Sequence, residues 1–80
     1  MEVIKDLQRV IVYIEDHLLS DISLQTLSDY VDKSPFHINQ TFTMIVGMTP
    51  LEYQSARRMT EAAKDILSGH TRILDIAMKY

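Results

Sequence analysis

Two helix starts and one helix stop lie close together in the middle of this chain. Ser34-Pro35 and Thr49-Pro50 each place a hydroxyl residue before a proline, which is typical of an N-cap followed by the first helical position. Gly47 follows an apolar helical pattern, and glycine suits the left-handed cap that ends a helix. The sequence therefore predicts a short helix over 35–46 and an immediate restart at Thr49.

Helical periodicity predicts two helices before this segment. The first runs from about Val3 to Leu18, and the second from Leu24 to Val31 behind Ser23 as its N-cap. The apolar stripe of the first helix is predicted at Ile4, Leu7, Ile11, Ile14 and Leu18.

Two further helices are predicted after the helix over 35–46. Glu52 lies three residues after Thr49, a spacing that forms a capping box, and this helix continues to Ser68. Its core face is predicted at Ala56, Met59, Ala63, Ile66 and Leu67. A fifth helix begins near Arg72, with Ile73, Ile76 and Ala77 on one side, and we expect it to be truncated at Tyr80.

No strand-like alternation extends beyond a few residues, so the predicted fold class is all-α. The 80 residues suffice for one small domain. The absence of cysteine excludes disulfides, thiolate metal sites and a cysteine nucleophile. No apolar run approaches the roughly 18 residues that a membrane span needs, and the N-terminus lacks the pattern of a signal peptide.

Nothing in the sequence favours an enzyme, a metal or a cofactor. His17, His37 and His70 show no ligand spacing, and neither a nucleophile elbow nor a glycine-rich phosphate loop is present. The acid/base pairs that Glu61 forms with Arg57 and Lys64 are typical of a solvated helix face. The formal net charge of −3 counts against nucleic acid, because phosphate contacts supply much of that affinity.

The helix over 35–46 has two different faces. Ile38, Phe42 and Ile45 are predicted to face the core, whereas Phe36, Asn39, Gln40 and Thr43 fall on the opposite side. Amide side chains can pair with the adenine edge, and an aromatic ring can contact a thymine methyl group. The alternative is that the amides are ordinary surface residues and that Phe36 covers the edge of the core. The tight turn at 32–34 joins this helix to the one before it as a helix-turn-helix, which favours the first interpretation.

A set of motifs in a fixed order gives this chain a family resemblance. The motifs are Ile14-Glu15-Asp16-His17-Leu18, Ser23-Leu24 with Leu27-Ser28, Ser34-Pro35-Phe36-His37-Ile38 with Phe42, Gly47-Met48-Thr49-Pro50 with Glu52-Tyr53, Arg57-Arg58-Met59 with Ala62-Ala63, and Ile73-Leu74-Asp75-Ile76-Ala77. With these, the chain resembles the DNA-binding region of the AraC/XylS transcriptional regulators over all its residues.

The resemblance implies a homeodomain-like arrangement in which two helix-turn-helix units read successive major grooves. Residues 1–46 would form the first unit, 47–69 the linker helix, and 70–80 the opening helix of a truncated second unit. Base reading would fall on Phe36, Asn39, Gln40 and Thr43. Phosphate contacts would fall on Lys33, Ser34, His37, Arg57 and Arg58.

The resemblance also implies a bacterial, cytoplasmic protein that joins the nucleoid when bound. Its partners would be double-stranded operator or promoter DNA, RNA polymerase and a sensor domain in the full-length protein, with no membrane.

The chain departs from the family pattern at several positions. Asp32 stands where the family often has a glycine, but aspartate tolerates the left-handed conformation that the turn needs. Ser28 stands where alanine is frequent. Gln40 replaces a usual arginine, and no lysine or arginine occurs from Ser34 to Val46. A helical module for protein contacts therefore remains the alternative, and salt dependence would separate the two, since DNA binding weakens steeply with added salt.

Overall fold

The computed structural model describes the backbone of residues 2–69 and 73–80 and the side chains of residues 3–69 and 76–80. These residues form five helices: α1 (Glu2–Asp16), α2 (Leu24–Val31), α3 (Pro35–Val46), α4 (Pro50–Ser68) and α5 (Ile73–Lys79). The described ranges contain no strand, which confirms the predicted all-α class. The bounds of α2 and α3 are those predicted, whereas α1 ends two residues before Leu18.

Local capping sets the bounds of α2 and α3. The Ser23 hydroxyl accepts a hydrogen bond from the Thr26 N–H at 3.1 Å, and the Ser34 hydroxyl accepts one from the His37 N–H at 3.0 Å. Asp32 ends α2 at φ 57° and Gly47 ends α3 at φ 92°, both in the left-handed region. The aspartate thus adopts the left-handed conformation that the sequence predicts for this turn.

The core lies between the first three helices. Its buried side chains are Leu7, Val10 and Ile14 from α1, Leu27 and Val31 from α2, and Ile38 and Phe42 from α3. Burial of this apolar surface is the main force that holds the three helices together.

Two predicted core positions are wrong. Ile4 is 43% exposed and Ile45 is 55% exposed. Both lie in a terminal turn of their helix, and on α3 it is Val46 that packs against the core instead. The apolar period therefore identified the correct face of each helix but extended it too far along the axis.

The predicted core face of α4 is also wrong. Its five residues form an exposed surface that we call the α4 stripe: Ala56, Met59, Ala63, Ile66 and Leu67. Met59 is 73% exposed and Leu67 is 87% exposed. The side of α4 that faces the rest of the protein is mainly polar after its first residue, and its half-buried or buried members are Pro50, Tyr53, Gln54, Arg57, Arg58, Glu61, Ala62 and Asp65.

A polar contact joins α4 to the loop between α1 and α2. The buried Gln54 amide donates to the Leu18 carbonyl at 3.1 Å and to the Ser20 carbonyl at 2.9 Å. Arg58 donates to the same two carbonyls through Nε at 2.6 Å and Nη2 at 2.7 Å. Hydrogen-bonding side chains rather than apolar ones make this contact. The prediction from hydrophobic periodicity therefore placed the inward face on the wrong side of α4.

Arg57 connects α4 to α1. Its Nε and Nη2 atoms both donate to the Glu15 carboxylate at 3.1 Å, and Nη2 also donates to Glu61 at 2.9 Å. The hydrogen bond with Glu15, followed by that with Glu61, raises the pKa of Arg57 above its ordinary value. The same guanidinium, with Lys64, lowers the pKa of Glu61.

The start of α4 carries the predicted capping box. The Thr49 N–H donates to Glu52 Oε1 at 2.9 Å, and the Thr49 hydroxyl accepts from the Glu52 N–H at 3.2 Å. The Thr49 N–H, with the Thr49 hydroxyl as a smaller cause, lowers the pKa of Glu52 from its ordinary value of 4.5.

This capping box predicts a pH dependence of stability. Since the pKa of Glu52 is lower in the folded chain than in the unfolded one, its stabilising effect is fully present above pH 4.5 and is lost as the pH falls through the folded value. Glu52→Gln keeps an oxygen acceptor but does not titrate. In urea unfolding at a series of pH values, the original chain should therefore lose stability relative to Glu52→Gln below pH 4.5. Parallel pH profiles would contradict this.

The last helix contacts α4 near its C-terminal end. The Tyr80 hydroxyl donates to Asp65 Oδ2 at 3.0 Å, and Lys79 Nζ donates to the same oxygen at 3.3 Å. Ile76 is buried as predicted, whereas Ala77 is exposed. The predictions for Arg72 and for the Ile73 side chain lie outside the described residues. Within those residues, none of the helices is both long and apolar enough to span a membrane.

Candidate nucleic-acid interface

The four predicted base-reading residues lie together on the outside of α3. Phe36 is 74% exposed, Gln40 and Thr43 are exposed, and Asn39 is half-buried. They line one shallow surface depression, which we call the α3 depression: Phe36, Asn39, Gln40, Thr43, Met44 and Thr49. The structure therefore presents these side chains on one continuous surface.

The inner face of α3 holds this surface in place. Ile38 and Phe42 are almost completely buried, and the Phe42 ring meets the Tyr53 ring of α4 edge to face, with centroids 5.9 Å apart. The Thr41 hydroxyl donates to the His37 carbonyl at 2.7 Å, so it is satisfied within the helix. Because α3 is anchored against α1, α2 and α4, its outer face has a fixed orientation.

Two members of the α3 depression were not predicted from the sequence. Met44 lies eight residues after Phe36 and four after Gln40, so the helical period could have placed it at the edge of the outer face. Thr49 follows the left-handed Gly47, where the chain changes direction. No helical period extends across such a turn, and Thr49 could be found only from the three-dimensional structure.

Three of the predicted phosphate-binding residues lie at the N-terminal end of α3. Lys33 is exposed in the turn, Ser34 is the N-cap, and His37 is half-buried in the first turn of the helix. The turn itself is tied to α2 because the buried Ser28 hydroxyl donates to the Lys33 carbonyl. The Lys33 N–H in turn donates to the Ser28 carbonyl at 3.1 Å. Ser28 therefore fixes the backbone immediately before α3.

The fold also brings two cations of α1 close to Lys33. Lys5, Arg9 and Lys33 line one depression together with Asp6, Val31 and Asp32. Arg9 donates to the Tyr30 carbonyl at 3.0 Å, and its guanidinium lies 5.0 Å from the centre of the Tyr30 ring. The two aspartates offset much of this positive charge. The grouping was not predicted, since Lys5 and Lys33 are far apart in sequence.

The other two predicted phosphate-binding residues have intramolecular partners. Arg57 is bound by Glu15 and Glu61, and Arg58 is bound by the carbonyls of the loop between α1 and α2. The structure thus gives both arginines a part in holding α4. Contact of either with phosphate stays a prediction.

Comparison with known proteins identifies relatives that are transcriptional regulators. The HTH-type transcriptional activator AarP of Providencia stuartii is 34% identical over 74 residues, which are 92% of this chain and 55% of AarP. The uncharacterised HTH-type transcriptional regulator YbfP of Bacillus subtilis is 37% identical over 76 residues, 95% of this chain and 26% of YbfP. Over most of its length the chain is therefore similar to HTH-type transcriptional regulators, among them an AraC-family activator.

A third relative combines two activities in its name. The bifunctional transcriptional activator/DNA repair enzyme AdaA of Bacillus subtilis is 33% identical over 66 residues, 82% of this chain and 31% of AdaA. The match covers the helix-turn-helix region of that protein. No family model and no solved structure matches the chain. The chain spans about half the length of AarP and less of the other two relatives.

Proposed function

We propose that this chain is a non-enzymatic, sequence-specific DNA-binding unit of a transcriptional regulator, and that α3 enters the major groove. The observation that carries the proposal is the α3 depression, an outward surface of amide, hydroxyl and apolar side chains on the second helix of a helix-turn-helix. The major groove admits one α-helix, and such side chains can contact the base edges there.

The role of each residue follows from its chemistry. Asn39 and Gln40 can each donate and accept at one adenine, and Phe36 can contact a thymine methyl group. Thr43 can hydrogen-bond to a base or to a phosphate. Because α3 contains no lysine or arginine, we propose that phosphate binding comes from the turn and the first residues of α3.

That phosphate surface consists of Lys33, Ser34 and His37. The N-terminal end of α3 adds its partial positive charge, since helix N-termini attract phosphate. Arg57 and Arg58 belong to the proposal as supporting residues that hold the linker helix and could reach phosphate with their remaining N–H groups. The net charge of −3 predicts weaker binding than a basic domain would show.

The wider assignments are part of the same proposal. Residues 1–46 act as the first helix-turn-helix unit, 47–69 as the linker helix and 70–80 as the start of a second unit. The full-length regulator would act on promoter DNA in the bacterial cytoplasm, bound to the nucleoid, with a sensor domain and RNA polymerase as further partners.

The α4 stripe favours a second candidate function. Met59, Ile66 and Leu67 are 49–87% exposed along one side of a long helix, and an apolar surface of this kind marks protein contacts. Under this alternative the chain is a helical module that binds another protein. The two functions differ in salt dependence and in the residues that respond to DNA.

Titration with DNA distinguishes them. We expect the NMR amide signals of Phe36, Asn39, Gln40 and Thr43 to shift most when the chain is titrated with a duplex selected from a randomised pool. Phe36→Ala should weaken binding about tenfold or less, since it removes one apolar base contact, while Met59→Ala, the control on the α4 stripe, should leave it unchanged. Lys33→Gln should reduce the slope of log K against log salt by about 1. Shifts that map instead to the α4 stripe would contradict the proposal.

A further inference from the structure

Met44 has an exposed apolar side chain to which the proposed function assigns no contact. It is 76% exposed, slightly more than Phe36 at 74%, and both side chains line the α3 depression. Neither contributes to the core, because the inner face of α3 is filled by Ile38 and Phe42. Two large apolar side chains that are exposed to water on one surface do not stabilise the fold. They are, however, able to contact the apolar groups of a ligand.

The absence of charge between these two side chains indicates which chemical groups this surface can bind. No charged residue occurs between Lys33 and Glu52, so the middle of the α3 depression is neutral. Gln40 lies four residues before Met44, on the same side of the helix. A neutral surface with an apolar group at each end cannot bind guanine through a guanidinium. The apolar feature that the major groove displays is the 5-methyl group of thymine.

The distance between the two apolar side chains predicts how far apart the two thymine methyl groups would lie. Eight residues separate Phe36 from Met44, which at about 1.5 Å per residue is about 12 Å along α3. Successive bases on one strand are about 3.4 Å apart. For a helix that runs along the stacked base pairs in the groove, two apolar contacts at this separation match methyl groups about three to four base pairs apart.

We propose that Met44 is a specificity-determining residue that, together with Phe36, reads the methyl groups of two thymines about three to four base pairs apart. The amides of Asn39 and Gln40 face the base pairs between them. The chain would thus select A·T-rich sites by their methyl pattern. This inference rests on the proposed function, since it requires α3 to lie in the major groove.

Removal of single methyl groups from DNA tests the inference. The probe is the duplex that the chain enriches most from a randomised pool, with each thymidine replaced in turn by deoxyuridine. Binding is measured by fluorescence anisotropy at one fixed low salt concentration. Burial of one methyl group corresponds to about fourfold in affinity. We therefore expect two replacements, about three to four base pairs apart, each to weaken binding by about fourfold.

Variants of the protein assign each methyl group to a side chain. Met44→Ala should abolish the effect of one deoxyuridine replacement and keep the other, and Phe36→Ala should do the reverse. Met59→Ala removes an equally exposed methionine, 73% exposed on α4, and should keep both effects. All three sites are on the surface, and retention of the helical circular dichroism signal confirms that the variants are folded.

The possible outcomes separate the inference from the function on which it rests. If the duplex binds and deoxyuridine has no effect anywhere, the methyl reading is wrong and DNA binding stands. If both effects persist in Met44→Ala, the role of Met44 is wrong. If the pool yields no enriched duplex, the proposed function itself fails, and the inference fails with it.

Discussion

Phe42→Ala is expected to lower the free energy of unfolding by about 3–5 kcal/mol. Phe42 is completely buried, so the change removes a large apolar side chain and leaves a cavity that the surrounding helices fill only in part. It also removes the edge-to-face contact with Tyr53. An 80-residue domain has a total stability of about 4–12 kcal/mol, so this single change removes a large part of it.

The second phenylalanine of α3 supplies a matched control. Phe36→Ala removes the same side chain from the same helix, but at a site that is 74% exposed, and it should change stability by about 0.5 kcal/mol or less. Urea unfolding followed by far-UV circular dichroism measures both variants. If Phe42→Ala does not fold, Phe42→Leu leaves a smaller cavity and should cost about 1–2 kcal/mol. Equal losses at the two phenylalanines would contradict the described core.

The double variant Gln54→Leu/Arg58→Met is expected to lose about 3 kcal/mol, more than the sum of its two single changes. The two side chains donate to the same pair of carbonyls, those of Leu18 and Ser20. Each single change leaves one donor on each carbonyl and should cost about 1 kcal/mol. The double change removes every one of these donors, so the energies of two coupled sites do not add.

A double-mutant cycle from urea unfolding measures this coupling, which we expect to be about 1 kcal/mol. Ser55→Ala, at an exposed position on α4, is the control and should have little effect. Additive single changes would mean that water replaces both donors at the loop carbonyls. The positions of α4 and of the loop would then not depend on these two side chains.

Short-range features of this fold were predictable, and the polar packing of α4 was not. The caps at Ser23, Ser34 and Thr49 and the left-handed Gly47 depend on a few neighbouring residues, and the structure confirms each of them. The face of α4 was predicted from apolar periodicity, which assumes that the inner side of a helix is apolar. Here Gln54, Arg57 and Arg58 occupy that side because they bind partners far away in sequence.

The proposed binding surface divides in the same way. The outward positions of Phe36, Asn39, Gln40 and Thr43 follow from the period of one helix. The addition of Thr49, and the placement of Lys5 and Arg9 near Lys33, depend on how separate helices pack. The partners of Arg57 and Arg58 likewise could not be predicted, because Glu15 and the carbonyls of Leu18 and Ser20 are about 40 residues away.

The sequence by itself determined where α2, α3 and α4 begin, where α2 and α3 end, and which side of α3 is free to bind, because capping and helical period act over a few residues. The tertiary structure alone decided which side of α4 faces inward and which cations are held by other groups. Those outcomes depend on hydrogen bonds between residues far apart in the chain, and no local pattern of apolar residues encodes them.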